Sequence, residues 1–169
     1  MKLIRVQYRA RQFFDTLTAP WRAVDVAYAA ARLSPALLQL FRRMPHAEQH
    51  HGIAVAQTLE VQGYADPALL IAALLHDVGK IQTPPRLWER VFVVLAERAW
   101  PERARRWGAA GTPRGWRRGF AIRHQHAAWG ATLAEEAGAP ARAVALIRQH
   151  HAPPGTDQAL AALQAADEI

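Results

Sequence analysis

The sequence predicts an all-α protein, on three observations. Alanine and leucine dominate a chain that is 51% hydrophobic, β-branched runs are short, and apolar residues recur at helical rather than alternating spacing. At 169 residues the chain reads as one domain, long enough to bury ~70% of the surface its unfolded form would expose. Cysteine is absent, which excludes disulfides and thiolate metal sites. Met1-Lys2-Leu3-Ile4-Arg5 is followed by alternating polar residues rather than a leader-type apolar block, and no apolar stretch reaches the ~20 residues of a membrane span. A cytoplasmic location is therefore the expectation.

Taken in order, residues 5–18 read as a first helix, and a second opens at Pro20 and runs to about Leu33. Ser34-Pro35 places a capping hydroxyl before a proline at the first helical position, opening a short helix to Met44 that Pro45 ends. Residues 1–45 carry no chemistry and are expected to cover the core formed by 46–169. A helix over about Ala47–Gln62 carries the stripe His51, Val55, Leu59 and ends at Gly63. Asp66-Pro67 then starts an apolar helix too hydrophobic for a surface, running through Ala68–Leu75 to His76-Asp77. Gly79 is read as its stop. After Pro84-Pro85, Leu87, Val91, Val94 and Leu95 mark an amphipathic helix to about Ala99. Residues 100–120 read as a loop-like insertion, and further helices are predicted over about Ala121–Ala137, Pro140–His151 and Asp157–Glu168.

The formal net charge of +7 is concentrated. Between Arg98 and Arg123 eight arginines face one acid, Glu102, so 8 − 1 = +7 and the rest of the chain balances. Trp100, Trp107 and Trp116 lie among them. Two readings stand. The segment is a solvated, tryptophan-pinned surface, or it meets a polyanion or an anionic membrane surface.

The chemistry gathers on inward-facing stripes. His76 and Asp77 close a core helix, and burying two ionisable groups there costs several kcal/mol unless they are compensated. A divalent cation compensates both, because imidazole and carboxylate are good ligands for one. His126 shares a face with Trp129, Gly130 and Leu133. His151 follows Val144 and Ile147 at +7 and +4, with His150 beside it. Asp167 follows Leu160 and Leu163 at the same spacings. A single inward histidine is ordinarily a hydrogen-bonded core residue. Five helices each turning a ligand-type residue inward point instead to a metal centre.

The order His51, His76-Asp77, Asp167, with Ala72–Lys80 reading AALLHDVGK, resembles the HD-domain metal-dependent phosphohydrolases. A second layer, His126-x-x-x-Gly130 and Ile147-x-x-His150-His151, resembles the HDIG and HD-GYP branches with extra metal-binding histidines. The similarity covers about residues 46–169 and implies a compact helical bundle. It also implies a phosphodiesterase acting on a nucleotide-type substrate, a cyclic dinucleotide being the sharpest expectation. His51, His76, Asp77 and Asp167 would hold a first metal, and Asp77 would bridge to a second held by His126, His150 and His151. The sulfur-free set suits iron or manganese, with other divalent ions open. A bridging hydroxide would attack phosphorus. Lys80 is the implied electrostatic clamp, and Arg148, beside the histidine pair, is a candidate phosphate contact. His50 is the alternative to His51. Ala47 with Glu48, and Ala152-Pro153-Pro154-Gly155, depart from the HD-GYP pattern. Two other functions remain open: a one-metal nucleotidase or alarmone phosphate hydrolase, and a non-catalytic nucleotide- or nucleic-acid-binding module.

Overall fold

The computed structural model describes residues 23–109 and 114–168. The helix expected over 5–18 and the start of the one expected at Pro20 lie outside them. Among the described residues the fold is all-α, with no strand. The α-helices are α1 (Val26–Ala30), α2 (Pro35–Arg42), α3 (His46–Val61), α4 (Pro67–Leu75), α5 (Leu87–Ala99), α6 (Pro101–Ala109), α7 (Arg118–Glu136), α8 (Ala141–Gln149) and α9 (Gln158–Asp167). Short 3-10 turns lie at Val78–Ile81 and Gly115–Arg117. No helix among these residues is long and apolar enough to cross a membrane.

Local chemistry sets the helix ends. Ser34 accepts a hydrogen bond from the Leu37 amide (3.4 Å), Asp66 from Ala68 (3.0 Å) and Asp157 from Leu160 (3.1 Å), with Pro35 and Pro67 in the first turns they cap. Gly63 and Gly138 adopt φ of 89° and 80° just past α3 and α7, a conformation that other residues enter at a cost.

The hub is α4. Every residue from Leu69 to Leu75 is buried, so the helix is enclosed on all sides, packed against α3, α8 and α9. Around it Leu37, Phe41, Leu59, Leu146, Ile147, Leu160 and Leu163 complete one core. On its outside, α1 is strapped to α3. The Tyr28 hydroxyl donates to Glu60 at 2.6 Å, and Arg32 donates to the same carboxylate at 2.7 and 3.1 Å.

Two expectations about local structure are corrected. Helix α4 ends at Leu75, with His76 as its C-cap, and Gly79 lies within the 3-10 turn at ordinary negative φ. That glycine does not act as a left-handed helix stop. Its place is a spacing requirement, because a Cβ there would collide with the His126 carbonyl oxygen and lie 2.7 Å from the Gly130 nitrogen. The described part of 100–120 is also not loop-like: Pro101–Ala109 is helical. Its order comes from a second, smaller core, in which Val93, Ala96 and Ala104 surround the fully buried Phe120 with Trp107 packed on them. Trp107 meets Phe120 edge-on at 5.2 Å and Trp116 at 5.0 Å. Arginine-rich composition hid the helix because its inward face is built from alanine, glycine and one tryptophan.

Candidate metal centre

Two close backbone approaches and one side-chain clasp build the site. Gly52, next to His51 on α3, lies against α4 so tightly that a Cβ would stand 2.8 Å from the Leu74 carbonyl oxygen. Glycine inside a helix costs roughly 1 kcal/mol against alanine; here the loss brings His51 to within an edge-on ring contact of His76, centroids 5.1 Å apart. Gly79 and Gly130 do the same between the 3-10 turn and α7, setting Asp77 beside His126. On α9, Gln164 donates to the carbonyls of His150 (3.1 Å) and Ala152 (2.6 Å), holding the end of α8 next to the turn that carries Asp167.

Two triads result. His51, His76 and Asp167 offer ligand atoms that lie within 4.8 Å of one another, and so do His126, His150 and His151. His51 Nε2 is 2.7 Å from Asp167 Oδ1, and His76 Nε2 is 3.3 Å from the same oxygen. Asp77 stands between the triads, with Oδ2 3.4 Å from His76 Nε2 and Oδ1 3.2 Å from His126 Nε2. One carboxylate thus turns one oxygen to each group.

The rings are oriented from their own helices. His76 Nδ1 donates to the Ala73 carbonyl (2.9 Å), His126 Nδ1 to Ile122 (2.9 Å) and His150 Nδ1 to Ile147 (2.7 Å). A carbonyl can only accept, so the proton of each neutral ring sits on Nδ1 and the Nε2 lone pair faces inward. His126 Nε2 then lies 3.2 Å from both His150 Nε2 and His151 Nε2. Converging lone pairs repel unless a cation lies between them. His76 Nε2 is buried and makes no hydrogen bond among the described residues, which is costly in a protein interior. The donor set therefore fits divalent metal.

Electrostatics favours the same occupant. Burial pushes the His150 imidazole down to about 3, helped by a charge on His76, and pushes His151 down to about 2, helped by His150. Both rings are neutral at pH 7 and ready to ligate. Burial opposes charge on Asp77 and Asp167 as well. Lys80 and His76 outweigh it at Asp77, and His76 and His51 outweigh it at Asp167, so both stay well below the ordinary carboxylate range. At His76 burial is overridden by Asp77 and Asp167, which hold the ring protonated well above its usual range. A proton on His76 partly fills the role that a cation would fill completely.

The other expected residues divide. Lys80 donates to Asp77 Oδ2 (2.5 Å) and to Glu48 Oε2 (3.0 Å), so its ammonium is already held by two carboxylates. Arg148 is exposed and pairs with Glu135 on α7 (3.7 Å) instead of turning toward the rings. His51, not His50, belongs to the triad. Three participants were not foreseen. Glu48 is buried and fixes Lys80, Gln164 clasps the His150 turn, and Arg123 directs Nη1 toward His151 Nε2 at 3.5 Å. Arg123 could have been found from its position three residues before His126, one helical turn away on α7.

No curated protein and no solved structure matches the chain significantly. The family model for the HD domain, however, matches residues 22–169, and it spans all the residues that build the two triads. The chain belongs to the HD domain family, whose members are for the most part metal-dependent phosphohydrolases.

Proposed function

We infer that the chain is a two-metal phosphodiesterase acting on a nucleotide-type substrate, with residues 46–169 as its core and the preceding helices as a cover. The carrying observation is Asp77, one oxygen facing each of two separate triads. His51, His76 and Asp167 would hold one metal and His126, His150 and His151 the other, with Asp77 shared; iron or manganese suits this donor set. Metals held there would supply Lewis-acid activation of water and neutralisation of phosphoryl charge.

The protein's own contribution is orientation. Backbone carbonyls hold a proton on Nδ1 of His76, His126 and His150, so that each ring turns its Nε2 edge inward. Lys80, braced by Glu48, donates to Asp77 Oδ2, the oxygen that also faces His76, and keeps the carboxylate ionised. Arg123, exposed beside His151, is the guanidinium best placed to receive a non-bridging phosphate oxygen, a role for which Arg148 is turned the wrong way. A cyclic dinucleotide remains the sharpest substrate expectation, on the resemblance of the histidine pair to the branches described above.

Elemental analysis of protein purified without chelator or immobilised nickel tests this reading. About two metals per chain are expected, near zero in Asp77→Ala and about one in His150→Ala. Hydrolysis of bis-p-nitrophenyl phosphate and of a panel of cyclic and linear dinucleotides should follow occupancy. One metal, unaffected by His150→Ala, would move the assignment to a one-metal nucleotidase. None after reconstitution would leave only a binding module.

A further inference from the structure

The outer face of α5 reverses the usual rule for a surface helix. Trp88, Val91, Phe92 and Leu95 recur at +3, +4 and +7, the spacing of a buried stripe, yet all four are exposed, Trp88 by 51% and Leu95 by 59%. Trp100, just past the helix end, is also exposed, at 54%. The helix cannot roll to hide it. Val93 and Ala96 are committed to the Phe120 cluster. Glu89, buried on the same side, is locked by an ion pair with Arg118 and accepts from the Arg86 amide at 2.7 Å. Phe92 and Trp116 both touch the Phe120 ring edge-on, at 5.7 and 6.3 Å, so Trp116 rises from the same anchor and adds a third exposed indole.

The segment that carries this stripe also carries the charge. Residues 86–123 contain ten arginines and three glutamates, so 10 − 3 = +7, the whole formal net charge of the chain. Arg98 follows Leu95 by one turn, and Arg117 lies over the Trp116 ring at 5.1 Å. Arg98, Arg114 and Arg117 are exposed.

We propose that this face, the α5 stripe with Trp100 and Trp116, docks on an anionic lipid surface. Indoles at the boundary, aliphatic side chains between them and arginines at the rim match the headgroup region of a bilayer. A nucleic acid would use the rings and guanidinium groups but has no use for Val91 and Leu95, which cannot stack. A second copy of this chain would bring like charge against like charge across a symmetric contact.

The test is co-sedimentation of the full chain with vesicles of phosphatidylcholine alone and with about 30% phosphatidylglycerol added. Partition should require the anionic lipid, fall as salt rises, and drop about tenfold in Trp88→Ser/Leu95→Ser. That variant should keep its helical circular dichroism and metal content, since both positions are on the surface; Arg114→Gln/Arg117→Gln provides a second reading through charge alone. Absence of sedimentation, equal sedimentation on both vesicles, or sedimentation unchanged in both variants would overturn the proposal. So would tight binding of a short single-stranded DNA with no vesicle binding.

Discussion

Helix α7 joins two regions that pack by opposite means. Toward its middle, His126 and Gly130 meet the Asp77 turn with backbones nearly touching, and every close approach is made at a glycine. Toward its start, Phe120 fills the gap to α5 and α6 with a single large ring, and apolar side chains are left over on the outside. Polar rings that must converge on a point need their backbones drawn in, because an imidazole reaches only a few ångströms. A layer that only has to stay attached can stand off at side-chain distance. The first arrangement spends helix propensity and buried charge on a site; the second leaves a free surface.

Substitutions separate the two regions. The largest effect is expected at the centre, where Asp77→Asn keeps the shape but removes the charge that both triads face. Turnover should fall about a thousandfold, measured with a chromogenic phosphodiester, while circular dichroism stays native. Phe120→Ala should cost about 3–5 kcal/mol by chemical denaturation and loosen α5 and α6, with the metal content retained. Gly79→Ala should do the reverse. Forcing a methyl against the His126 carbonyl costs about 1–3 kcal/mol and pushes the triads apart, so metal content falls while hydrogen exchange in α5 and α6 is unchanged.

A smaller effect concerns acid. His150 and His151 titrate at about 3 and about 2 when folded, and unfolded histidine at about 6.5, so between these limits the unfolded chain takes up two protons that the folded one refuses. His76 keeps its proton in both states over that range. Stability of the metal-free protein should therefore decline below pH 6.5, by roughly 5 °C in melting midpoint per pH unit. Above pH 6.5 the sign changes, because folded His76 still holds a proton that the unfolded chain releases. If melting were flat between pH 5 and 6.5, the His150 ring would not be as enclosed as the geometry places it.

Most of the fold is visible along the chain because its signals are local. Ser34-Pro35 and Asp66-Pro67 mark starts, Gly63 and Gly138 mark ends, and one inward ligand-type residue per helix marks the centre. What stays hidden is pairing across distance. Glu48 looks like a surface acid until Lys80, 32 positions on, is seen beside it. Gly79 looks like a stop because its true neighbour, His126, is far along the chain. Arg123 disappears into a cluster of arginines whose total charge draws the eye away from any one of them. Helix α6 disappears for a similar reason, since its order depends on Phe120, which lies beyond it in sequence.

One consequence of the ring geometry reaches past catalysis. At His126 and His150 the choice of tautomer is made by a carbonyl three or four residues earlier in the same chain. No distant partner has to be in place for the correct nitrogen to be free, so each helix carries its ligand ready-made, much as a plug carries its own prongs. Substitutions elsewhere in the shell can shift these helices without rewiring the rings. Loading the second triad should then release few protons, since burial keeps His150 and His151 uncharged, whereas loading the first should displace the one on His76. Calorimetry in buffers of different ionisation heat would read that asymmetry as a difference in proton count between the two events.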